Sequence, residues 1–185
     1  MTVRIKNDTF IHIPKTAGVS ISRWLIEYAG GEYIGYKNPM IKKHMEYKDI
    51  IKEKGYHPEF MFAVVRNPWD RLVSGYHYYK KKGSPNFTWR TFDEFVTCKE
   101  LGKLGRNQVH YIQNREGEIA VDLVIRFENL QEEFKHIQNR YHCYEPLTKN
   151  NVTSHRDYRE YYTPETKNIV SELFEADIHR FGYRF

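Results

Sequence analysis

Residues 10–20 read FIHIPKTAGVS, and this stretch decides how the chain begins to fold. Its first four residues form an apolar run of strand length, which stops at Pro14. Lys15 and Gly18 follow at the end of this buried strand, a position typical of turns that bind phosphate. The Gly-x-x-x-x-Gly-Lys-Ser/Thr spacing of ATP and GTP sites is absent. The sequence therefore predicts a phosphate turn of another type.

The residues after this turn predict a helix. In VSISRWLIEYAGG, residues 19–31, apolar side chains recur at the i, i+3, i+4 and i+7 spacing of one helix face: Ile21, Trp24, Leu25 and Tyr28. A pair of glycines at the end of the stretch stops the pattern. The chain is therefore expected to begin with a strand, a turn and a helix.

A second strand, turn and helix are predicted next. FMFAVV, residues 60–65, is a continuous apolar run, as expected of a strand buried on both faces of a parallel sheet. Arg66 ends this strand. A helix then begins, because Asn67 suits an N-cap and Pro68 suits the first helical position.

The rest of the chain continues the alternation. VDLVIRF, residues 121–127, predicts a third strand, residues 128–141 an amphipathic helix, and Thr163 the start of a last helix. This order predicts an α/β sandwich with a mainly parallel central sheet flanked by helices. Ligands of such sheets bind at the carboxyl ends of the strands, where Lys15 and Arg66 are expected.

Composition limits the class of protein. The 185 residues suffice for one domain with a substantial core, and 40% hydrophobic with 29% charged residues indicates a globular chain. The net charge of +5 favours an anionic partner. Two cysteines, Cys98 and Cys143, indicate neither a zinc site nor a disulfide framework. Because the sequence shows no secretory signal or transmembrane segment, we expect a cytoplasmic protein with no membrane span.

The first turn carries several groups suited to an anion. Backbone N–H groups at a helix N-terminus attract negative charge, and Gly18 allows close approach of the backbone. Lys15 adds a full charge, while Thr16 and Ser20 can donate hydroxyl hydrogen bonds. An ordinary strand-to-helix turn with an exposed lysine remains the alternative.

The second turn offers a separate anion site. The guanidinium of Arg66 is a planar fork suited to phosphate oxygens, and Ser74 lies two helical turns further on. A surface arginine paired with Asp70, and a serine in a packing notch, are the alternatives here.

Together, HIPKTAG.S at residues 12–20 and VVRNPWDRLVSGYHYY at residues 64–79 resemble the two anion-binding motifs of PAPS-dependent sulfotransferases. The branch that looks most similar is sulfotransferase family 2, with its carbohydrate and heparan-sulfate enzymes. DLVIRFENLQEEF and YYTPETKNIVSELFEADIHRFGY extend the resemblance to residues 9–183. It implies a single sulfotransferase domain over residues 1–185, with a P-loop-NTPase-like three-layer sandwich fold.

The resemblance also implies the donor and its contacts. In that family the first motif binds the 5′-phosphosulfate of PAPS, the second binds the 3′-phosphate, PAP is the product, and no metal is needed. Carried over to this sequence, the first motif comprises Pro14, Lys15, Thr16, Ala17, Gly18, Val19 and Ser20, and the second includes Arg66 and Ser74. Val19 stands where a threonine is common, which removes one possible phosphate donor.

Two further assignments stay open. Arg126 ends the third predicted strand and is a candidate donor contact, although a salt bridge to Glu128 fits the sequence equally well. The loop NVTSHRDYREYY, residues 151–162, either closes over the nucleotide or is a solvated loop.

Sulfuryl transfer requires a cation at the leaving oxygen and a base for the acceptor hydroxyl. Lys15 is the candidate for the leaving phosphate oxygen. Among nine histidines, His44 is the expected base, because family members carry theirs in a similar segment, KH followed by a short helix. A solvated His44 is the alternative, and His110 is the second candidate base. His12 lies inside the first strand and is expected to be packed.

Two other functions fit parts of the sequence. A P-loop kinase or other nucleotide-phosphate enzyme shares the first strand, turn and helix, but it should have a glycine at the ATP spacing and an acidic strand end, where this chain has Arg66. A non-catalytic module for nucleic acid or acidic glycan fits the charge, but no nucleic-acid signature is present. We therefore expect a hydroxyl-bearing acceptor, a carbohydrate by resemblance, and no nucleic-acid partner.

Overall fold

A computed structural model gives the fold of the protein and describes residues 1–34, 44–52, 56–83, 88–98, 101–148 and 156–185. The lysines that precede His44 and the first half of the predicted nucleotide loop, residues 151–155, lie outside the described residues.

The described strands are β1 Val3–Ile5, β2 Asp8–Ile11, β3 Glu32–Tyr33, β4 Phe60–Val65 and β5 Leu123–Arg126. The described α-helices are α1 Gly18–Tyr28, α2 Tyr47–Ile50, α3 Pro68–Lys82, α4 Phe92–Thr97, α5 Val109–Ile112, α6 Leu130–Glu133, α7 Lys135–Tyr141, α8 Pro164–Leu173 and α9 Glu175–Phe181. Short 3₁₀ turns cover Gly102–Gly105, Phe127–Asn129 and Tyr158–Tyr161.

The described strands form one mixed sheet in the order β3-β1-β2-β4-β5. The inner strands β2, β4 and β5 run parallel, and their register pairs Ile11 with Ala63 and Val65 with Arg126. The outer strands β1 and β3 are antiparallel to their neighbours. The α/β prediction is therefore confirmed, and the parallel pairing applies to the inner strands. This pairing sets the carboxyl ends of β2, β4 and β5 along one edge of the sheet.

One face of the sheet carries a hydrophobic core. Alternate residues of paired strands point to the same face, so Phe10, Phe62 and Ile125 share it. Helices α1 and α7 cover this face with fully buried side chains such as Leu25 and Ile137. Burial of this apolar surface holds the strands and the start of α1 in place.

Strand β2 differs from its predicted bounds. The expected strand covered residues 10–13, whereas the structure has Asp8–Ile11. Asp8 can lie in a buried strand because Arg140 donates two hydrogen bonds to its carboxylate, of 2.7 and 2.9 Å, and the Tyr141 hydroxyl donates a third. These contacts compensate the cost of burying the carboxylate.

Two predicted helix starts are confirmed, at Asn67 with Pro68 and at Thr163. The Asn67 side chain accepts hydrogen bonds from the backbone of Trp69 and Asp70 at the start of α3, with Pro68 in the first position. The predicted helix over residues 128–141 is divided between α6 and α7. The last predicted helix is likewise divided between α8 and α9.

The chain divides into two compact units. The first comprises Met1–Val65 and Gln108–Asn151, and contains the sheet with α1, α2 and α5 to α7. The second comprises Arg66–Asn107 and Val152–Phe185, and contains α3, α4, α8 and α9. The single domain expected over residues 1–185 stays a prediction.

The second unit is organised around Arg71 of α3. This arginine is fully buried, and its Nη2 donates to the carbonyls of Leu104 and Arg106 at 3.0 and 2.8 Å. Its guanidinium carbon also lies 5.1 Å from the centre of the Phe174 ring. Arg71 therefore ties the segment around residue 105 to α3 and to Phe174, the residue between α8 and α9.

Candidate active site

The predicted phosphate turn joins β2 to α1. The Thr16 hydroxyl donates to the carbonyl of Ile13 at 3.0 Å and is fully buried. On either side of it, Lys15 and Ala17 have φ angles of 70° and 63°, in the left-handed region. Left-handed backbone costs energy for residues with a side chain, so this turn stores strain of the sort found at ligand sites.

The shape of this turn suits an anion. Alternation between left-handed and other backbone conformations gathers successive N–H groups into a concave anion-binding surface. Helix α1 starts immediately afterwards at Gly18, and its first turn contains no acidic residue. The positive end of the helix dipole therefore adds to the half-buried charge of Lys15.

The other predicted residues of the turn differ in what they can offer. The Thr16 hydroxyl proton points to Ile13, so Thr16 holds the turn and offers an anion its backbone N–H. Val19 is 39% exposed, whereas Ser20 is buried. Pro14 is half-buried where the chain enters the turn.

Gly18 packs directly against a histidine. A Cβ at Gly18 would lie 1.9 Å from Cδ2 and 2.1 Å from Nε2 of His12. The absence of a side chain therefore lets the His12 ring lie against the first residue of α1. The predicted packing of His12 is consistent with this position, with only 5% of the residue exposed.

His44, the expected base, lies against the same histidine. Its Nδ1 is 2.8 Å from the backbone carbonyl of His12. Because a carbonyl only accepts, Nδ1 carries the proton in this contact, and neutral His44 then has its lone pair on Nε2. The two rings also pack edge to face, with centroids 4.8 Å apart at 79°.

The chain after His44 fixes where this histidine lies. Glu46 caps α2 in a capping box with Asp49, and it also pairs with Lys48 at 2.9 Å. The backbone N–H of Met45 donates to the hydroxyl of Thr2 beside β1. His44 is therefore held by structured residues on its C-terminal side.

His12 is held neutral. Burial lowers its pKa well below 6.5, and the positive N-terminal amino group, His44 and Lys15 lower it further. A backbone hydrogen bond with Met1 opposes these effects but is outweighed. The imidazole next to His44 is therefore uncharged near neutral pH.

Two other predicted residues belong to the same unit. Arg126 ends β5 opposite Val65, and its backbone N–H donates to the Glu133 carboxylate at 2.7 Å. Its side chain is half-buried at the edge of the sheet where the carboxyl ends lie. His110, the second candidate base, is half-buried on α5.

In the second unit, Arg66 and Asp70 form an ion pair across the first turn of α3. Arg66 Nε lies 2.8 Å from the carboxylate of Asp70, and Arg66 is only 7% exposed. The pairing with Asp70 follows the alternative left open by the sequence, but the arginine is not a surface residue. Ser74 is buried one turn after Asp70 on the same helix.

The start of α3 is fixed by side chains of its own unit. The Asn67 amide donates to the carbonyl of Arg184 at 3.0 Å, and the Tyr162 hydroxyl donates to the carbonyl of Trp69 at 2.9 Å. Burial raises the pKa of Tyr162 well above its ordinary value, and Asp70 raises it further, so its hydroxyl remains a donor. The structure thus places the predicted residues in two groups, one in each unit.

Comparison with known protein families identifies the family of this chain. A model described as the sulfotransferase family matches residues 8–184. The chain belongs to the sulfotransferase family. The match spans both units of this sulfotransferase, and the resemblance seen in its two motifs is confirmed.

Other comparisons add little to this assignment. Among solved structures, the sulfotransferase is similar to mouse sulfotransferase SULT7A1, crystallised with PAP, at 16% sequence identity and a TM-score of 0.46. The similarity covers 91% of this chain and 82% of the mouse chain. Curated protein sequences gave no significant match.

The described residues contain neither a metal-binding cluster nor a membrane-spanning helix. No group of three or more His, Cys, Asp or Glu side chains in that part of the chain is arranged to hold a metal ion. A stretch both helical and apolar enough to cross a bilayer is not found there either.

Sequence reasoning missed how two residues take part in the site. His12 was expected only to be packed, yet both its ring and its carbonyl contact His44. The apolar run over residues 10–13 indicated burial but gave no information on a segment 32 residues away. Asp70 was considered only as a surface partner, although it is paired with a buried Arg66.

Proposed function

We propose that this sulfotransferase moves a sulfuryl group from PAPS to an acceptor hydroxyl. The observation that carries the proposal is the left-handed turn at Lys15 and Ala17, with His44 held nearby through His12. The turn fits an anionic phosphosulfate, because its N–H groups and the start of α1 favour negative charge. When bound, PAPS supplies the activated sulfuryl group and leaves as PAP.

The residues of the turn would bind and neutralise the 5′ end of the donor. Backbone N–H groups of residues 15–18 and the hydroxyl of Ser20 are suited to the phosphosulfate oxygens. Lys15 would stabilise the negative charge that develops on the leaving oxygen. The chain offers this cation without the glycine spacing of an ATP site.

A second set would bind the 3′-phosphate. Arg66 is oriented by Asp70 through Nε, and its guanidinium is a planar fork of a kind suited to phosphate oxygens. Ser74 would add a hydroxyl donor from the same helix. Arg126, at the carboxyl end of β5, is proposed as a further donor contact.

His44 would act as the general base. With the proton on Nδ1, its Nε2 can accept the proton of the acceptor hydroxyl as the new bond to sulfur forms. His110 is the second candidate for this role.

A carbohydrate is the proposed acceptor class. The exposed lysines that end α3, Lys80 to Lys82, would suit an acidic chain.

A transfer assay tests the proposal. The protein is incubated with PAPS and panels of glycans, phenols, lipids and peptides, and PAP release is measured. His44→Ala should lower turnover at least 100-fold with PAP affinity within about twofold, because removing a general base costs roughly that much. Lys15→Ala should lower both turnover and PAP affinity.

Matched controls separate these effects from general damage. His136→Ala and Lys52→Ala remove an exposed histidine and an exposed lysine, and both should leave turnover unchanged. Loss of turnover in His110→Ala but not His44→Ala would transfer the base role to His110. Thermal stabilisation by ATP with magnesium but not by PAP would refute the proposal in favour of a nucleotide-phosphate enzyme.

A further inference from the structure

We propose that His12 is a positioning residue, whose ring holds His44 in the orientation of its Nδ1 hydrogen bond and links that histidine to the phosphate turn. The inference rests on the proposed function for its catalytic meaning, since His44 is the base only if the chain transfers a sulfuryl group. The positioning itself concerns contacts within the first unit and can be measured without any donor.

The backbone of His12 sets the tautomer of His44. The carbonyl accepts from Nδ1 at 2.8 Å, which fixes one proton and leaves the other nitrogen unprotonated. Any substitution at position 12 keeps this carbonyl. Substitutions therefore report on the ring alone.

The ring of His12 restricts the orientation of His44. The edge-to-face contact, at 4.8 Å and 79°, leaves His44 few ring orientations in which Nδ1 still reaches the carbonyl. His12 is itself immobilised, since it is 5% exposed and stacks on Phe10 with ring centroids 6.0 Å apart. A buried, packed ring of this kind holds a neighbouring functional side chain in place.

The same ring contacts the phosphate turn. Gly18 has no side chain, and the space that a Cβ would take is filled by Cδ2 and Nε2 of His12. The His12 ring thus contacts both Gly18, the first residue of α1, and His44. The ring sets the distance between the turn and His44, which matters because a displacement of about 1 Å can lower a rate about 100-fold.

The neutral state of His12 is consistent with this role. A charged imidazole here would repel both Lys15 and a protonated His44, and burial opposes that charge. An uncharged ring provides contact without placing a second positive charge next to the base.

Nitrogen-15 NMR of the histidine side chains, without donor or acceptor, tests the positioning directly. Wild-type protein should show His44 with a protonated Nδ1 and an unprotonated Nε2. In His12→Ala the His44 signals should move toward the average of the two tautomers, because the ring no longer restricts its orientation. In His12→Phe, which keeps a ring of similar size, the wild-type pattern should be retained.

Steady-state kinetics supply the second readout. His12→Ala should lower kcat at least tenfold with KM for PAPS and Kd for PAP within about twofold, and His12→Phe should recover most of kcat. His136→Ala serves as the exposed control. If His12→Ala does not fold, a loss of the wild-type pattern in His12→Phe would still refute the proposal, since that variant retains the ring contact.

The outcomes separate this inference from the proposed function. An unchanged His44 pattern in His12→Ala overturns the positioning role, whatever the activity. A changed pattern in a protein with no PAPS-dependent transfer supports the positioning role and refutes the proposed reaction.

Discussion

Lowering the pH from 7.5 to 5.5 should destabilise this protein through His12. The pKa of His12 is well below its ordinary value of 6.5 in the folded chain, mainly because the ring is buried. In the unfolded chain the same ring titrates near 6.5. Below that pH the unfolded chain binds one proton that the folded chain does not. The stabilisation is therefore present above pH 6.5 and is lost as the pH falls toward the folded pKa.

The magnitude follows from one proton. While His12 stays neutral in the folded chain, lowering the pH from 7.5 to 5.5 costs on the order of 1 kcal/mol, because the unfolded chain takes up a proton that the folded chain does not. For a chain of 185 residues this corresponds to a decrease in Tm of about 2–4 °C.

Urea unfolding followed by tryptophan fluorescence measures this loss. The comparison is with His12→Phe, which keeps the packed ring but cannot titrate, so contributions of the other eight histidines largely cancel. The difference in unfolding free energy between wild type and variant should change by on the order of 1 kcal/mol between the two pH values. Parallel pH profiles would show that His12 does not resist protonation, and would refute the reasoning from burial.

Three further predictions concern single contacts. Gly18→Ala usually stabilises a helix, but here it should destabilise the protein by about 1–3 kcal/mol in urea unfolding, because the new Cβ would lie 1.9 Å from the His12 ring. An increase in stability would contradict that packing. Arg66→Ala should weaken PAP binding at least tenfold in calorimetry and weaken adenosine 5′-phosphosulfate, which lacks the 3′-phosphate, much less; equal losses would argue against the 3′-phosphate role. Arg71→Ala should lower stability by roughly 3 kcal/mol, since two carbonyls lose a buried donor, whereas the exposed Arg90→Ala should stay within about 0.5 kcal/mol; similar urea midpoints for the two would exclude this role of Arg71.

Local signals predicted much of the fold. Strand β4 matches its predicted residues 60–65, because an unbroken run of apolar side chains suits a strand buried on both faces. The start of α3 was also predicted, since Asn67 and Pro68 act within a few residues of their own position. These features depend on neighbouring residues in the sequence.

The outer strands could not be predicted in the same way. Strand β3 has two residues, Glu32 and Tyr33, and both are exposed. Neither β3 nor the three-residue β1 carries a periodic pattern long enough to recognise. Both are strands because a neighbouring strand offers backbone hydrogen bonds, which is a property of the assembled sheet.

The candidate site shows the same division. The turn at Lys15 was predicted from the residue types that follow the first strand, whereas His44 was expected as the base from the family resemblance, and that role stays a prediction. The contact of His44 with His12 was not predicted, because it joins residues 32 positions apart. The burial of the Arg66–Asp70 pair was missed too, since i,i+4 spacing predicts pairing but not exposure.

The two roles of position 12 have different sequence requirements. A backbone carbonyl sets the tautomer of His44, so any residue in the same conformation would provide that contact. The ring is needed to fill the space above Gly18 and to pack against His44, which an aromatic side chain of similar size can also do. Glycine at 18 and a ring at 12 are therefore coupled, because a side chain at 18 would displace the ring and a small residue at 12 would leave a cavity beside His44. If that coupling holds, Gly18→Ala should be less damaging when position 12 is small than when it is histidine, and the strain of the first change would disappear in the double variant.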